Sequence, residues 1–100
     1  QTEVDKYSKK PFILTDRYCR GGYGKIDAQL VRFINSFQKK SGILLDPVYT
    51  SKMIFGVLDM IETGQIPAGS AILAIHTGGL QAINGSNKYL KEKNLPQIEQ

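Results

Sequence analysis

The stretch Gly42-Ile43-Leu44-Leu45-Asp46-Pro47-Val48-Tyr49-Thr50-Ser51-Lys52 constrains this chain more than any other. An apolar run stops at Asp46-Pro47, and the proline ring keeps the residue before it out of helical geometry. Helical spacing then resumes. Met53, Ile54, Val57, Leu58 and Ile61 mark a buried face, with Thr50 or Ser51 as N-cap and Gly64 as the stop. A helix N-terminus presents unsatisfied N–H groups, so Tyr49-Thr50-Ser51 is a place to hold an electron-rich group. His76-Thr77-Gly78-Gly79 repeats the arrangement on a shorter scale. The run Ser70–His76 is apolar on both faces, as a central strand of a parallel sheet is, and it ends in two polar residues before a glycine pair. The sequence therefore predicts that two polar ends form the walls of a single ligand site.

The rest of the chain supplies scaffold. Residues 1–10 are polar and read as frayed or as a connection. Pro11-Phe12-Ile13-Leu14-Thr15 reads as a short strand with proline at its start. Asp16 to Lys25 is a loop whose Gly21, Gly22 and Gly24 permit close backbone approach to a ligand. A phosphate-cradling loop is the less favoured alternative, since such a loop directly follows a strand and opens a helix, and here other residues intervene. Asp27 is an N-cap for a helix whose Leu30, Val31, Phe33, Ile34 and Phe37 form a core stripe, with Ile26 stapling across the cap. Lys39 and Lys40 suit its last turn and Gly42 ends it. Ile66–Gly69 is a turn, Leu80 to Ile83 a short helical turn, and Ser86 to Lys93 a marginal terminal helix. The helix-then-strand order is half of a βαβ unit, in which ligands sit beyond the carboxyl ends of the strands. The fold expected is α/β.

Composition narrows the function classes. One hundred residues make at most one domain, and an apolar fraction of 41% with mixed charge suits a folded globular chain. The net charge of +4 comes from lysines near both ends, among them Lys6, Lys9, Lys10, Lys88, Lys91 and Lys93, without the interleaved aromatics of a nucleic-acid platform. No apolar run is long enough to cross a bilayer, and no signal-peptide pattern opens the chain. The start at Gln1 without an initiator Met fits an excised piece, and a lone Cys19 suits a reducing compartment. One His, one Cys and scattered carboxylates do not supply the usual metal ligand sets. A Ser-His-Asp set can be drawn from Ser51, His76 and Asp46, but the nucleophile-elbow context is missing. His76, closing a buried strand, reads as a hydrogen-bonded packing residue. Lys52 reads as a solvated first-turn lysine as readily as a residue shaping the site.

Asp46-Pro47-Val48-Tyr49-Thr50-Ser51-Lys52, followed by His76-Thr77-Gly78-Gly79-Leu80-Gln81 and preceded by Gly21-Gly22-Tyr23-Gly24-Lys25, resembles the C-terminal part of the 1-aminocyclopropane-1-carboxylate deaminase / D-cysteine desulfhydrase family. The similarity runs from about Phe12 to about Gly85. It implies a fold-type-II pyridoxal-phosphate enzyme of the tryptophan-synthase-β type. Residues 1–100 would then be a single C-terminal segment of its large cofactor-binding domain, a three-layer αβα piece with a mostly parallel sheet, with 1–10 and 94–100 frayed or linking.

The resemblance also implies roles. Tyr49 and Tyr23 match active-site tyrosines and are the catalytic candidates; Thr77, Thr50 and Gly78 are the candidates for holding pyridoxal phosphate. From spacing alone Tyr49 is as readily a structural tyrosine. No residue matches the family's imine-forming lysine, so the chain by itself is expected to be inactive. Its expected partners are a small amino-acid substrate, the N-terminal remainder of the parent and, when complete, a second subunit in a cytoplasmic homodimer. In one respect the chain departs from the well-characterised deaminases, which carry Glu at the position of Thr50, where it can meet the pyridine nitrogen. Thr there, with His-Thr-Gly-Gly later, leans toward the D-cysteine desulfhydrase branch. The other reading left open is a small non-catalytic binding module that keeps the motifs.

Overall fold

In the computed structural model the described residues are 17, 18, 20 and 25–100. The expected strand at Pro11–Thr15, most of the glycine-rich loop, Cys19 and Tyr23 lie outside them. Three helices follow in order, α1 (Ala28–Ser41), α2 (Thr50–Glu62) and α3 (Ala82–Glu92). No strand or sheet occurs among the described residues. The three-layer αβα piece with a parallel sheet is therefore not what forms. A strand exists only by pairing, and Ser70–His76 runs unpaired and exposed.

Helix α1 begins where Asp27 Oδ1 accepts from the Leu30 amide at 2.8 Å and ends at Gly42, in left-handed geometry with φ 77°, whose N–H returns to Gln38 O. Leu30, Val31 and Ile34 are fully buried. Phe33 and Phe37 lie at the side of this stripe, and Phe33 meets Phe55 of α2 edge to face at 5.4 Å. Arg20 clamps the start of the helix, pairing with Asp27 at 3.0 Å and stacking over the Phe55 ring.

Helix α2 buries a different face from the one its apolar periodicity predicts. Its buried positions are Thr50, Ser51, Lys52 and Gly56, whereas Met53 and Leu58 are exposed. Gly56 lies against the Tyr18 ring, and a Cβ there would sit 2.8 Å from a ring carbon. Lys52 is buried, not the solvated lysine that its first-turn position suggests. The Ile43-Leu44-Leu45 run is graded: Ile43 is exposed, Leu44 partly covered and Leu45 buried.

Helix α3 is continuous where two short pieces were expected, and it runs through Gly85. Ile83 and Leu90 join Leu30, Val31, Ile34 and Ile98 in one core cluster. Asn94, at φ 55°, takes the left-handed position after the helix while Leu95 N–H returns to Leu90 O at 2.9 Å. The tail beyond is held by two side-chain amides. Asn87 donates to Ile98 O and accepts from its N–H, at 3.0 and 2.7 Å. Asn35 of α1 donates to Gln97 O and accepts from Glu99 N–H, at 2.9 and 2.8 Å. Each amide thus reproduces a two-bond ladder rung and sets Ile98 into the core. No helix among the described residues is long and apolar enough to cross a membrane.

The Asp27 cap generates a pH prediction. Partial burial pushes this carboxyl up, but the bonds from Arg20 and the Leu30 amide, with the Arg20 charge, outweigh it and hold it below the ordinary 3.8. A depressed carboxylate contributes stability above its unfolded pKa, and that contribution is lost as pH falls through the folded value. Asp27→Ala is therefore expected to lower stability in urea by about 1 kcal/mol at neutral pH. The difference from wild type should close as the pH drops below about 4, and a gap unchanged by acid would contradict the assignment.

Candidate functional site

The two polar ends singled out in the sequence do meet, and Asp46 joins them. Its side chain is 0% exposed. Its two oxygens accept from the backbone N–H of Tyr49 at 3.1 and 3.2 Å and of Thr50 at 3.0 and 3.2 Å. The Thr50 hydroxyl donates to Oδ1 at 2.9 Å and accepts from the Asp46 N–H at 3.2 Å. Ser51 N–H closes the turn on Asp46 O. The N-cap position of α2 is Tyr49, without a side-chain bond of its own, and the capping carboxylate is that of Asp46, not a hydroxyl of Thr50 or Ser51. The proline that follows Asp46 keeps it out of helical geometry, and the Asp46 carboxylate reaches forward to the first turn.

From the other side, Gly79 packs directly on this carboxylate. A Cβ at Gly79, which has φ 87°, would lie 3.0 Å from the Asp46 carboxyl carbon. His76 supplies the second tie. Its Nε2 donates to Leu44 O at 2.9 Å, and its Nδ1 accepts from the Gly78 N–H at 3.0 Å. Those partners fix the neutral Nε2–H tautomer, because a carbonyl only accepts and an amide only donates. His76 is thus a hydrogen-bonded structural residue. With Asp46 also committed to amides, no nucleophile–base bond links Ser51, His76 and Asp46, and the Ser-His-Asp arrangement does not form. The Ser51 hydroxyl is buried and has no hydrogen-bond partner among the described residues.

The candidate residues fall into distinct settings. Tyr49 is 58% exposed at the rim. Thr77 and Gly78 are exposed on the adjoining segment, Gly78 at φ 96°. Thr50 is buried beneath them with its hydroxyl committed to Asp46. Tyr23 lies outside the described residues. Asp46 is the residue the sequence reading missed as a hub. The available signal was an Asp placed before Pro and a few residues ahead of a helix, the spacing of a side-chain cap reached across a turn.

A pyridoxal phosphate fits this site at one edge only. Tyr49 and Thr77 are the exposed residues at that edge. The first amides of α2 are occupied by Asp46 and so are closed to a phosphate. The hollow beside Thr50 and His76 holds about 200 Å³ and is walled mainly by apolar groups such as Leu45, Met53 and Ile54. That is small for a ligand pocket and unsuited to a dianion.

The Asp46 hub generates a stability prediction. Asp46→Ala strands two amides and a hydroxyl in a buried position, at about 1–3 kcal/mol for each group left unsatisfied, so a loss of at least about 2 kcal/mol is expected in denaturant titration. Gly79→Ala meets both the left-handed penalty of about 1–2 kcal/mol and the carboxylate. Gly78→Ala meets only the first, since nothing lies within 4 Å of its Cβ position. Equal losses at the two glycines would show that Gly79 does not touch Asp46.

Known proteins give a consistent picture. The chain is 34% identical over 80 residues to the 1-aminocyclopropane-1-carboxylate deaminase of Pseudomonas syringae pv. syringae, a match covering 80% of this chain and 24% of that protein. It is 37% identical over 73 residues to the enzyme of that name from Mesorhizobium japonicum, covering 73% of this chain and 22% of the relative. A Pyrococcus abyssi protein, whose name gives the same activity provisionally, is 44% identical over 66 residues, or 66% of this chain and 19% of the relative. No family model and no solved structure matches. The chain spans about a fifth of the length of these relatives. Over most of its own length, then, the chain is a homologue of one portion of the proteins named 1-aminocyclopropane-1-carboxylate deaminase.

Proposed function

We propose that this chain is the C-terminal part of a pyridoxal-phosphate-dependent enzyme that releases ammonia from a small amino acid, with Tyr49 facing the substrate and Thr77 the cofactor ring. The observation that carries this reading is the joining of the two motif ends, with Gly79 on Asp46 and His76 on Leu44. That junction brings Tyr49 and Thr77 onto neighbouring segments and leaves both side chains accessible. Bound pyridoxal phosphate supplies an electron sink for charge developing at the substrate Cα, a weaker one when its ring nitrogen is neutral. The Tyr49 phenol can hold a substrate carboxylate or carry a proton, since it both donates and accepts.

The same geometry supports a preference for D-cysteine-like substrates over opening of the cyclopropane ring. Position 50 offers no acid, and the carboxylate beneath it is saturated by amide and hydroxyl donors. The hydroxyl left for a ring nitrogen is that of Thr77, a neutral donor. It suits a neutral ring and the departure of a good leaving group from Cβ. The phosphate end and the imine-forming lysine are assigned to the remainder of the parent protein.

The test uses the full-length protein, assayed side by side on D-cysteine and 1-aminocyclopropane-1-carboxylate. Turnover of D-cysteine is expected to exceed ring opening, and ring opening alone would refute the preference. Tyr49→Phe should keep cofactor absorbance and lower kcat by about 10²–10⁴-fold, the usual range for a general acid–base group. Thr77→Val should weaken cofactor binding by about 0.5–1.5 kcal/mol, one neutral hydrogen bond. The hundred-residue chain alone is expected to release no ammonia or sulfide; turnover abolished by Lys52→Ala would reverse that assignment.

A further inference from the structure

Between Ala71 and Gln81 the backbone N–H of Gly78 is the only one bonded among the described residues, and its acceptor is a side chain, His76 Nδ1 at 3.0 Å. A side chain that accepts from the amide two residues on closes a loop around the residue between them, the geometry with which Asn and Asp shape turns. Here the bracketed residue is Thr77. The bracket is itself anchored, because His76 Nε2 donates to Leu44 O at 2.9 Å on the approach to α2. Gly78, at φ 96°, and Gly79, at φ 87°, then turn the chain onto Asp46.

The Thr77 hydroxyl depends on that bracket for its direction. Thr77 is exposed and its side chain makes no hydrogen bond among the described residues. No bond of its own therefore aims it. A β-branched side chain is stiff at χ1, and the rotamer it takes follows φ and ψ. Holding the backbone of Thr77 thus points the hydroxyl, and a hydrogen bond weakens steeply once its angle is lost. We propose that His76 is a positioning residue for Thr77, acting through the Gly78 amide to aim the Thr77 hydroxyl at the ring nitrogen of pyridoxal phosphate. The cofactor half of this rests on the assignment of Thr77 to the cofactor ring; the bracket does not.

Two variants separate the two bonds of the imidazole. Asn sets an acceptor near the place of Nδ1, whereas Gln sets a donor near that of Nε2 and leaves the Gly78 N–H without a partner. The apo form of the full-length protein is titrated with pyridoxal phosphate, and the Kd is read from the absorbance of the bound cofactor. His76→Asn is expected to keep most of the wild-type affinity. His76→Gln is expected to lose about 2- to 12-fold, one neutral hydrogen bond converted at 1.4 kcal/mol per tenfold. In a Thr77→Val background His76→Gln should cost nothing further, since it acts through a hydroxyl that is no longer there. Equal losses for Asn and Gln, a Gln loss that adds in full to that of Thr77→Val, or a Gln variant that binds like wild type would each overturn the proposal. Without cofactor, the amide-to-α-proton coupling of Thr77 in the hundred-residue chain should be shared by wild type and His76→Asn and should change in His76→Gln. A coupling unchanged by Gln would overturn the bracket. Thr77→Val binding as tightly as wild type would remove the cofactor half alone, with the coupling still deciding whether His76 holds Thr77.

Discussion

A buried carboxylate holds the start of α2 and the segment before α3 together. Asp46 takes the Tyr49 and Thr50 amides and the Thr50 hydroxyl, and Gly79 seats against its other side. Taking a carboxylate out of water costs several kcal/mol unless hydrogen bonds replace the lost hydration. Here three donors converge within two residues of sequence, and one of them is a helix amide already oriented toward an acceptor. The burial is therefore sustained locally. What it organises is not local, since the segment carrying Thr77 reaches the start of α2 by packing a glycine onto that carboxylate.

His76 acts in the same sense with a different chemistry. One ring nitrogen donates to Leu44 O, and the other accepts from Gly78 N–H two residues on. The imidazole thus ties the segment to the strand-like approach of α2 and shapes the turn into the glycine pair. Both ring nitrogens have partners, which removes His76 from acid–base work and makes it a fastening. Tyr49 and Thr77 lie exposed at the rim beside it.

Where local physics decided the outcome, the sequence was legible. The Asp27 cap, the Gly42 stop and the buried Leu30 and Ile34 follow from side-chain spacing and backbone preference alone. The start of α2 was harder to read, because its cap lies four residues before Thr50 and competes with two plausible nearer hydroxyls. The buried face of α2 depended on Phe33 and Tyr18, residues remote in sequence. The run Ser70–His76 misled most. A two-sided apolar pattern specifies burial between layers, and it becomes a strand only when neighbours supply the ladder. The rungs made by Asn35 and Asn87 to the tail left no pattern at all, since a single asparagine on a helix announces no partner.

The site is legible to the extent that its parts are contiguous. Asp-Pro-Val-Tyr-Thr and His-Thr-Gly-Gly mark two polar ends, but only the fold shows which residue joins them. The most direct test of that junction is a nuclear Overhauser spectrum of the chain. A strong cross-peak between the Gly79 α-protons and the Asp46 β-protons is expected from a glycine seated on the carboxylate. Its absence, with both residues assigned and the helices intact, would mean that the two segments do not form one site.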